Sequence, residues 1–350
     1  MQQKVQDQLA AQVQRVREAV ARLTPEQRQL ATGVGAVTAL LAALHIGGSV
    51  WEGLARRRRR AQMAAQREDG KVHLYIFPRS PWAPSISSPC SKVETFLRLA
   101  NIDHEVIETL NTCGSPNECV PFIVHRDQVL SDSKRIIEYL TTEFEVQLDD
   151  NLNRLDRATG AALVEMVDYS MSPTFYRIAF TLHPSIATAM LSKALGMPRV
   201  FARLMVSHVG SRMQSRLNLA PAGALTPEQY ENEFLRDCEA VEQQIGDKPF
   251  LFGDEPTSYD CAVYALLIPF VNMKNYAEVS DVYLTVAQSP ILVEYLHRLT
   301  ERAFPDLEEL MVATTVARSE VADSPASLDL DPEEETAMGD EDGRVIRLAY

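Results

Sequence analysis

The run Ser85-Ile86-Ser87-Ser88-Pro89-Cys90-Ser91-Lys92-Val93-Glu94 sets a thiol among hydroxyls. Cysteine reacts as its thiolate, and a thiolate is favoured in the first turn of a helix, where unpaired N–H groups and the helix dipole meet it. The spacing predicts such a helix, with Val93, Phe96, Leu97 and Ala100 on one face. Ser88 suits the N-cap and Pro89 the first helical position, so Cys90 lies in the first turn. Cys90 is therefore the leading candidate catalytic residue, the alternative being a small buried apolar residue. Lys92 and Glu94 read as surface groups of the same helix, and Arg79 is placed to reach a carboxylate from the loop. Cys113 and Cys119 flank Gly114 to Glu118 as a weak soft-metal or oxidation pair, and no metal is expected, because they lack histidine spacing. No glycine-rich phosphate loop occurs, so no nucleotide is expected.

The elements that must hold this run follow from its flanks. His73-Leu74-Tyr75-Ile76-Phe77-Pro78 is β-patterned and leads in, so the chemistry sits at a strand, loop, helix junction. Asp103 to Thr109 reads as a second strand, Cys119-Val120-Pro121-Phe122-Ile123-Val124-His125 as a third, and Val129-Leu130 as a short fourth. Pro121 opens its strand opposite a helix N-terminus, a place that suits a cis peptide. Ser131-Asp132-Ser133 then precedes a helix with Ile136, Ile137, Tyr139 and Leu140 as its apolar positions. Two strands after βαβ, then a helix, is the thioredoxin order.

With these residues in place, the unit resembles the N-terminal half of a glutathione transferase. Val120-Pro121 resembles that family's cis-proline step, and Leu130-Ser131-Asp132-Ser133 with Ile136 and Tyr139-Leu140 resembles its acidic-Ser motif, with Asp where Glu or Gln is usual. The resemblance implies glutathione as a ligand, with Val120 and Pro121 holding its backbone and Asp132 and Ser133 its γ-glutamyl end. It also makes Ser87 the rival of Cys90, because Ser87 to Cys90 resembles an insect-type pattern whose first serine acts. More closely, Tyr75-Ile76-Phe77-Pro78-Arg79 followed by Ser87, Cys90, Lys92 and Glu94-Thr95-Phe96-Leu97-Arg98 resembles the failed axon connections family, related to the metaxins.

Around this unit, 350 residues with 46% apolar content allow two domains and appendages. The formal charge of −14 divides into a basic cluster, Arg56 to Arg60, and an acidic end from Glu320 to Asp342, and implies neither nucleic acid nor an acidic substrate. Five scattered cysteines argue for a reducing compartment. Leu9, Val13, Val16, Val20 and Leu23 make a narrow apolar stripe over 1–28, which suits an amphipathic helix lying on a membrane or on the domain, or else a short self-pairing coil. From Gln29 to Trp51 there is no charged side chain, about 23 residues against the roughly 20 of a spanning helix, so 29–55 is expected to be a membrane anchor and 56–70 a basic linker. The arginines on its C-terminal side put the following domain in the cytosol. The similarity to metaxins favours the mitochondrial outer membrane over the endoplasmic reticulum.

Residues 71–144 are thus expected to form the thioredoxin-like domain and 150–310 an all-helical one. Helical patterns run Asn151 to Thr181, Ile186 to Leu217, Pro227 to Ile245, Asp260 to Lys274 and Pro290 to Ala303. Thr257-Ser258-Tyr259-Asp260 is expected to cap its helix reciprocally and resembles the folding motif of transferase C-terminal domains. Residues 318–350 are expected to be a disordered acidic tail. The fold class is α+β, glutathione transferase-like. Two functions follow: a membrane-tethered interaction protein with a vestigial or peptide-binding cleft and protein partners or a homodimer, or an active transferase or thiol reductase using Cys90 or Ser87.

Overall fold

The computed structural model describes residues 57–59, 61–112, 114–217, 225–273 and 280–311. The expectations for the segments 1–28 and 29–55 and for the tail 318–350 lie outside these residues, and among the described residues no helix is long and apolar enough to cross a membrane. Within 56–70, expected to be a linker, residues 61–66 are helical. The chain divides into two compact units, Met1–Ala65 and Gln66–Tyr350. The second unit carries the sheet and all the helices named below.

Strand β1 (Val72–Ile76) is central in a four-stranded sheet of order β2-β1-β3-β4, formed with β2 (His104–Glu108), β3 (Phe122–His125) and β4 (Gln128–Ser131). It runs parallel to β2 and antiparallel to β3, and β3 and β4 form a hairpin. All five β1 residues are buried, as a strand covered on both faces must be. Val72, Leu74 and Ile76 pack on α1 (Ser88–Leu99) and α2 (Ser133–Glu143) through Val93, Phe96, Leu97, Ile136 and Leu140. On the other face Tyr75 stacks on Phe122 with ring centroids 4.3 Å apart, and its hydroxyl donates to Gln66 Oε1 at 2.6 Å. The strand expected from Cys119 begins only at Phe122, because Pro121 offers the ladder no N–H.

The helical half opens with α3 (Arg154–Met166), capped by a reciprocal Asn153–Asp156 box. A π turn, Val167–Met171, joins it to α4 (Ser172–Arg177), and a second, Ile178–Leu182, follows. Each π turn changes which side chains face the core, a departure that periodicity does not foretell. The expected helix over 186–217 is two helices, α5 (Pro184–Leu195) and α6 (Arg199–Leu217), because Gly196 takes the left-handed conformation (φ 60°) and Pro198 follows. Then come α7 (Pro227–Ile245), with its Thr226–Gln229 capping box, and α8 (Asp260–Asn272), buried on every side. The eight-residue α9 (Asp281–Gln288), too short for its period to show, precedes α10 (Pro290–Ala303).

The expected reciprocal cap at Thr257 takes another form. Asp260 is fully buried and its carboxylate accepts from the Thr257 N–H (2.7 Å) and hydroxyl (2.6 Å), the Leu251 N–H (3.1 Å) and the Tyr295 hydroxyl (2.9 Å). Burial pushes the Asp260 carboxyl up while these donors pull it down, with a net rise. One side chain thereby ties α8, α10 and the preceding turn together.

The two halves share a core in which α8 lies along α1 and Cys261 joins the cluster around Cys90 and Phe96. Lys92 and Glu94, expected at the surface, are buried here, 3% and 0% exposed. Lys92 Nζ meets Asp168 at 2.7 Å. Glu94 takes both Arg79 (3.0 and 3.1 Å) and Arg98 (3.2 Å), and Arg98 continues to Asp306 at 2.6 Å. The face of α1 opposite the sheet is therefore charged and paired, because the helical half covers it. The expected reach of Arg79 to a carboxylate is observed, at Glu94 and through its backbone N–H at Glu108 (3.0 Å).

Candidate functional site

Helix α1 starts one residue earlier than its sequence suggests. Ser87 is the N-cap, without a side-chain capping bond, and Ser88 is already helical. The serines around it are spent on the loop itself. Ser85 donates from its hydroxyl to the Phe77 carbonyl at 2.8 Å, and its N–H donates to the Ser91 hydroxyl at 3.1 Å. This shapes residues 78–87 into a fixed arch above the end of β1.

Cys90 lies in the first turn as expected, but its surroundings reverse the expected chemistry. It is fully buried, in one apolar cluster with Val93, Ile136 and Cys261 against which Val120 and Leu130 pack. Burial pushes the Cys90 thiol up to about 11, against the pull of Ser87, Phe77 and Ser85. A lowered thiolate pKa is thus not what this site has. Ser87, the rival, is itself 9% exposed.

Sequence reasoning missed Tyr176. This half-buried residue of α4, whose ring lies 5.3 Å from that of Phe175 and 6.2 Å from that of Phe180, sits near the start of α1, and burial raises its phenol to about 12. No linear signal links Tyr176 to the start of α1, which is distant from it in the chain. The arch is also fastened to the helical half. The Trp82 carbonyl accepts from Asn272 at 2.9 Å, Lys193 lies 5.4 Å from the Trp82 ring centroid, Ala83 joins the main core, and Ile86 packs against the α5–α6 cluster.

The peptide-holding end is arranged differently. Val120-Pro121 is a cis peptide, with Val120 partly exposed at the mouth of β3. Asp132 sits at φ 80°, ψ 120°, a conformation that costs a residue with a Cβ on the order of 1–3 kcal/mol and recurs at binding sites. Its exposed carboxylate accepts from the Lys134 and Arg135 N–H groups at 3.1 and 3.2 Å, and Ser133 opens α2, partly exposed. Asp132 thus works as the α2 cap, which leaves its second oxygen and the Ser133 hydroxyl for a ligand. Val120, Asp132 and Ser133 are at least partly exposed, whereas Cys90 is buried.

Elsewhere Cys119 is exposed, and Cys113 lies outside the described residues. Among the described residues no group of three or more His, Cys, Asp or Glu side chains could hold a metal ion. A groove of about 440 Å³ lined by Cys238, Glu239, Glu242, Val286 and Leu292 contains none of the candidate residues.

Two family models match the chain in order: the glutathione S-transferase N-terminal domain over residues 88–185 and the glutathione S-transferase C-terminal domain over residues 234–299. Failed axon connections of Drosophila melanogaster is 26% identical over 249 residues, which is 68% of this chain and 59% of that protein, so the chain spans well under two thirds of that relative. Isoprene-epoxide–glutathione S-transferase of Rhodococcus is 26% identical over 63% of this chain and 93% of its own. Metaxin-2 of Mus musculus is 20% identical over 61% of this chain and 81% of its own. With both transferase domain models matched in sequence order on the fold described above, and with these relatives, the chain is similar to the failed axon connections and metaxin-like proteins and carries glutathione S-transferase-like N- and C-terminal domains.

Proposed function

We propose that this protein is a membrane-tethered interaction protein facing the cytosol, whose transferase-type cleft holds an extended thiol peptide by its main chain and carries out no thiolate chemistry. The observation that carries this reading is that Cys90 is fully buried in an apolar cluster, with its thiol pushed up to about 11. An enzyme that activates a sulfur at a helix N-terminus needs that sulfur reachable and ionised. The peptide end keeps cis Val120-Pro121 and Ser133, which supports binding without turnover. The uncharged run from Gln29 to Trp51 and Arg56 to Arg60 supports the tether, and the similarity to metaxin-2 favours the mitochondrial outer membrane.

Calorimetric titration of the full chain with glutathione tests the cleft. The expected result is weak binding with a Kd in the millimolar range, about −4 kcal/mol, lost in Ser133→Ala. Conjugation of an activated aryl chloride is expected to run at the buffer rate, unchanged in Cys90→Ala and Ser87→Ala. Turnover that collapses in either variant would replace this reading with the second one, a glutathione transferase or thiol reductase using Ser87 or Cys90. That reading draws on the alignment across 93% of isoprene-epoxide–glutathione S-transferase.

A further inference from the structure

From Tyr169 to Pro227 the chain has no aspartate or glutamate, yet it carries Arg177, Lys193, Arg199, Arg203, Arg212 and Arg216. In a chain of formal charge −14, this is a long segment of the opposite sign. It builds α4, α5 and α6, and α5 and α6 meet at the tight turn Gly196 to Pro198. The inner face of α6 is accounted for: Ala202 and Val206 are buried against Ala179, Ala187 and Leu191.

The outer face is not accounted for by that core. Val200, Phe201 and Leu204 are 61%, 63% and 63% exposed, three of the nine large apolar side chains exposed among the described residues. With about 3.6 residues per turn, Val200 and Leu204 lie one above the other with Phe201 beside them. Arg199 and Arg203 fall on one flank and Arg212 on the other, with His208 on the wedge face one turn beyond Leu204, all exposed. Further along the same face come Ser207, Ser211 and Ser215, exposed and small. An apolar wedge between cations, continued by small uncharged groups, is the form of a helix that lies in the plane of a membrane surface.

We propose that the first turns of α6 dock on an anionic lipid bilayer, with Val200, Phe201 and Leu204 entering the headgroup layer and Arg199, Arg203 and Arg212 meeting lipid phosphates. Charge complementarity favours lipid over a protein groove: no carboxylate within the segment opposes a uniformly negative surface, and each cation near such a surface is worth about fivefold in partitioning. The contact is peripheral and separate from both the cleft and the proposed anchor, so it stands if either of those fails.

Amide hydrogen exchange of the full chain, with vesicles of phosphatidylcholine alone or mixed with phosphatidylserine, tests it at the helix itself. Exchange across 199–208 is expected to slow about fivefold with the mixed vesicles only, and to recover near 0.5 M salt, where screening shortens to a few Å. Two variants, Phe201→Ser with Leu204→Ser and Arg199→Gln with Arg203→Gln and Arg212→Gln, change exposed side chains and are expected to keep the circular dichroism while losing the slowing. Three results would overturn the proposal: no slowing, equal slowing with both lipids, or slowing without vesicles that rises with protein concentration and so marks a surface between copies of this chain.

Discussion

At Cys90 the helix dipole favours a thiolate while burial favours the thiol, and burial is the larger effect. A dipole contributes about 0.3–1 kcal/mol near a helix end, whereas full burial shifts ionisable groups by several pKa units. A thiol at about 11 is ionised in fewer than about one molecule in a thousand at pH 7.5. Iodoacetamide at that pH is therefore expected to label exposed Cys119 in the native protein and to leave Cys90, Cys238 and Cys261 untouched until denaturant is added. Mass spectrometry of the peptides decides it, and native labelling of Cys90 would show that the first turn of α1 opens. Asp306 titrates in the other direction: burial raises its carboxyl, and the hydrogen bond and charge of Arg98 outweigh that and hold it below the usual carboxylate value. A lowered carboxylate pKa adds stability that is complete above about pH 4 and lost as pH falls through the folded value. Urea midpoints between about pH 3 and pH 6 are expected to fall less steeply in Asp306→Asn than in the wild type, and parallel curves would exclude the linkage.

Between elements, paired charges rather than apolar contacts alone set how α1 meets the helical half. Glu94 is fully enclosed and serves two guanidinium groups, one of them on the 8%-exposed Arg79. Removing one member of a buried pair typically costs about 3–5 kcal/mol, because the partner stays desolvated and unmatched. Glu94→Gln is expected to lose about that much in urea unfolding, and Arg79→Met with Glu94→Met to recover most of it. If the single variant were neutral, water would have to reach the pair. Lys92 and Glu94 also mark the limit of what the sequence discloses. The strand, loop, helix order and the cis Val120-Pro121 step are local in sequence and were legible. The burial of Lys92 depends on Asp168, a partner distant in the chain that no spacing rule connects. The α6 wedge was hidden for another reason: α6 is apolar on its buried face and again on part of its exposed one, so no single stripe stands out.

For the molecule as a whole, the expected division at residues 144–150 is not a division of stability. The face of α1 opposite the sheet, with its buried charges, is covered by α8, the π-turn segment and the residues that follow α10, so each half lacks a finished surface without the other. Residues 66–149 expressed alone are expected to be aggregated or expanded, with exchange protection lost in α1, whereas residues 66–311 are expected to unfold in a single transition. Two resolved transitions in the longer piece would refute this coupling. The shared face of α1 also has a consequence for inheritance. Crossing over near codon 147 with a relative would pair Glu94 and Lys92 with another protein's helices, so a working descendant needs compensating changes on both sides of the joint, and the two halves pass between generations as a single block.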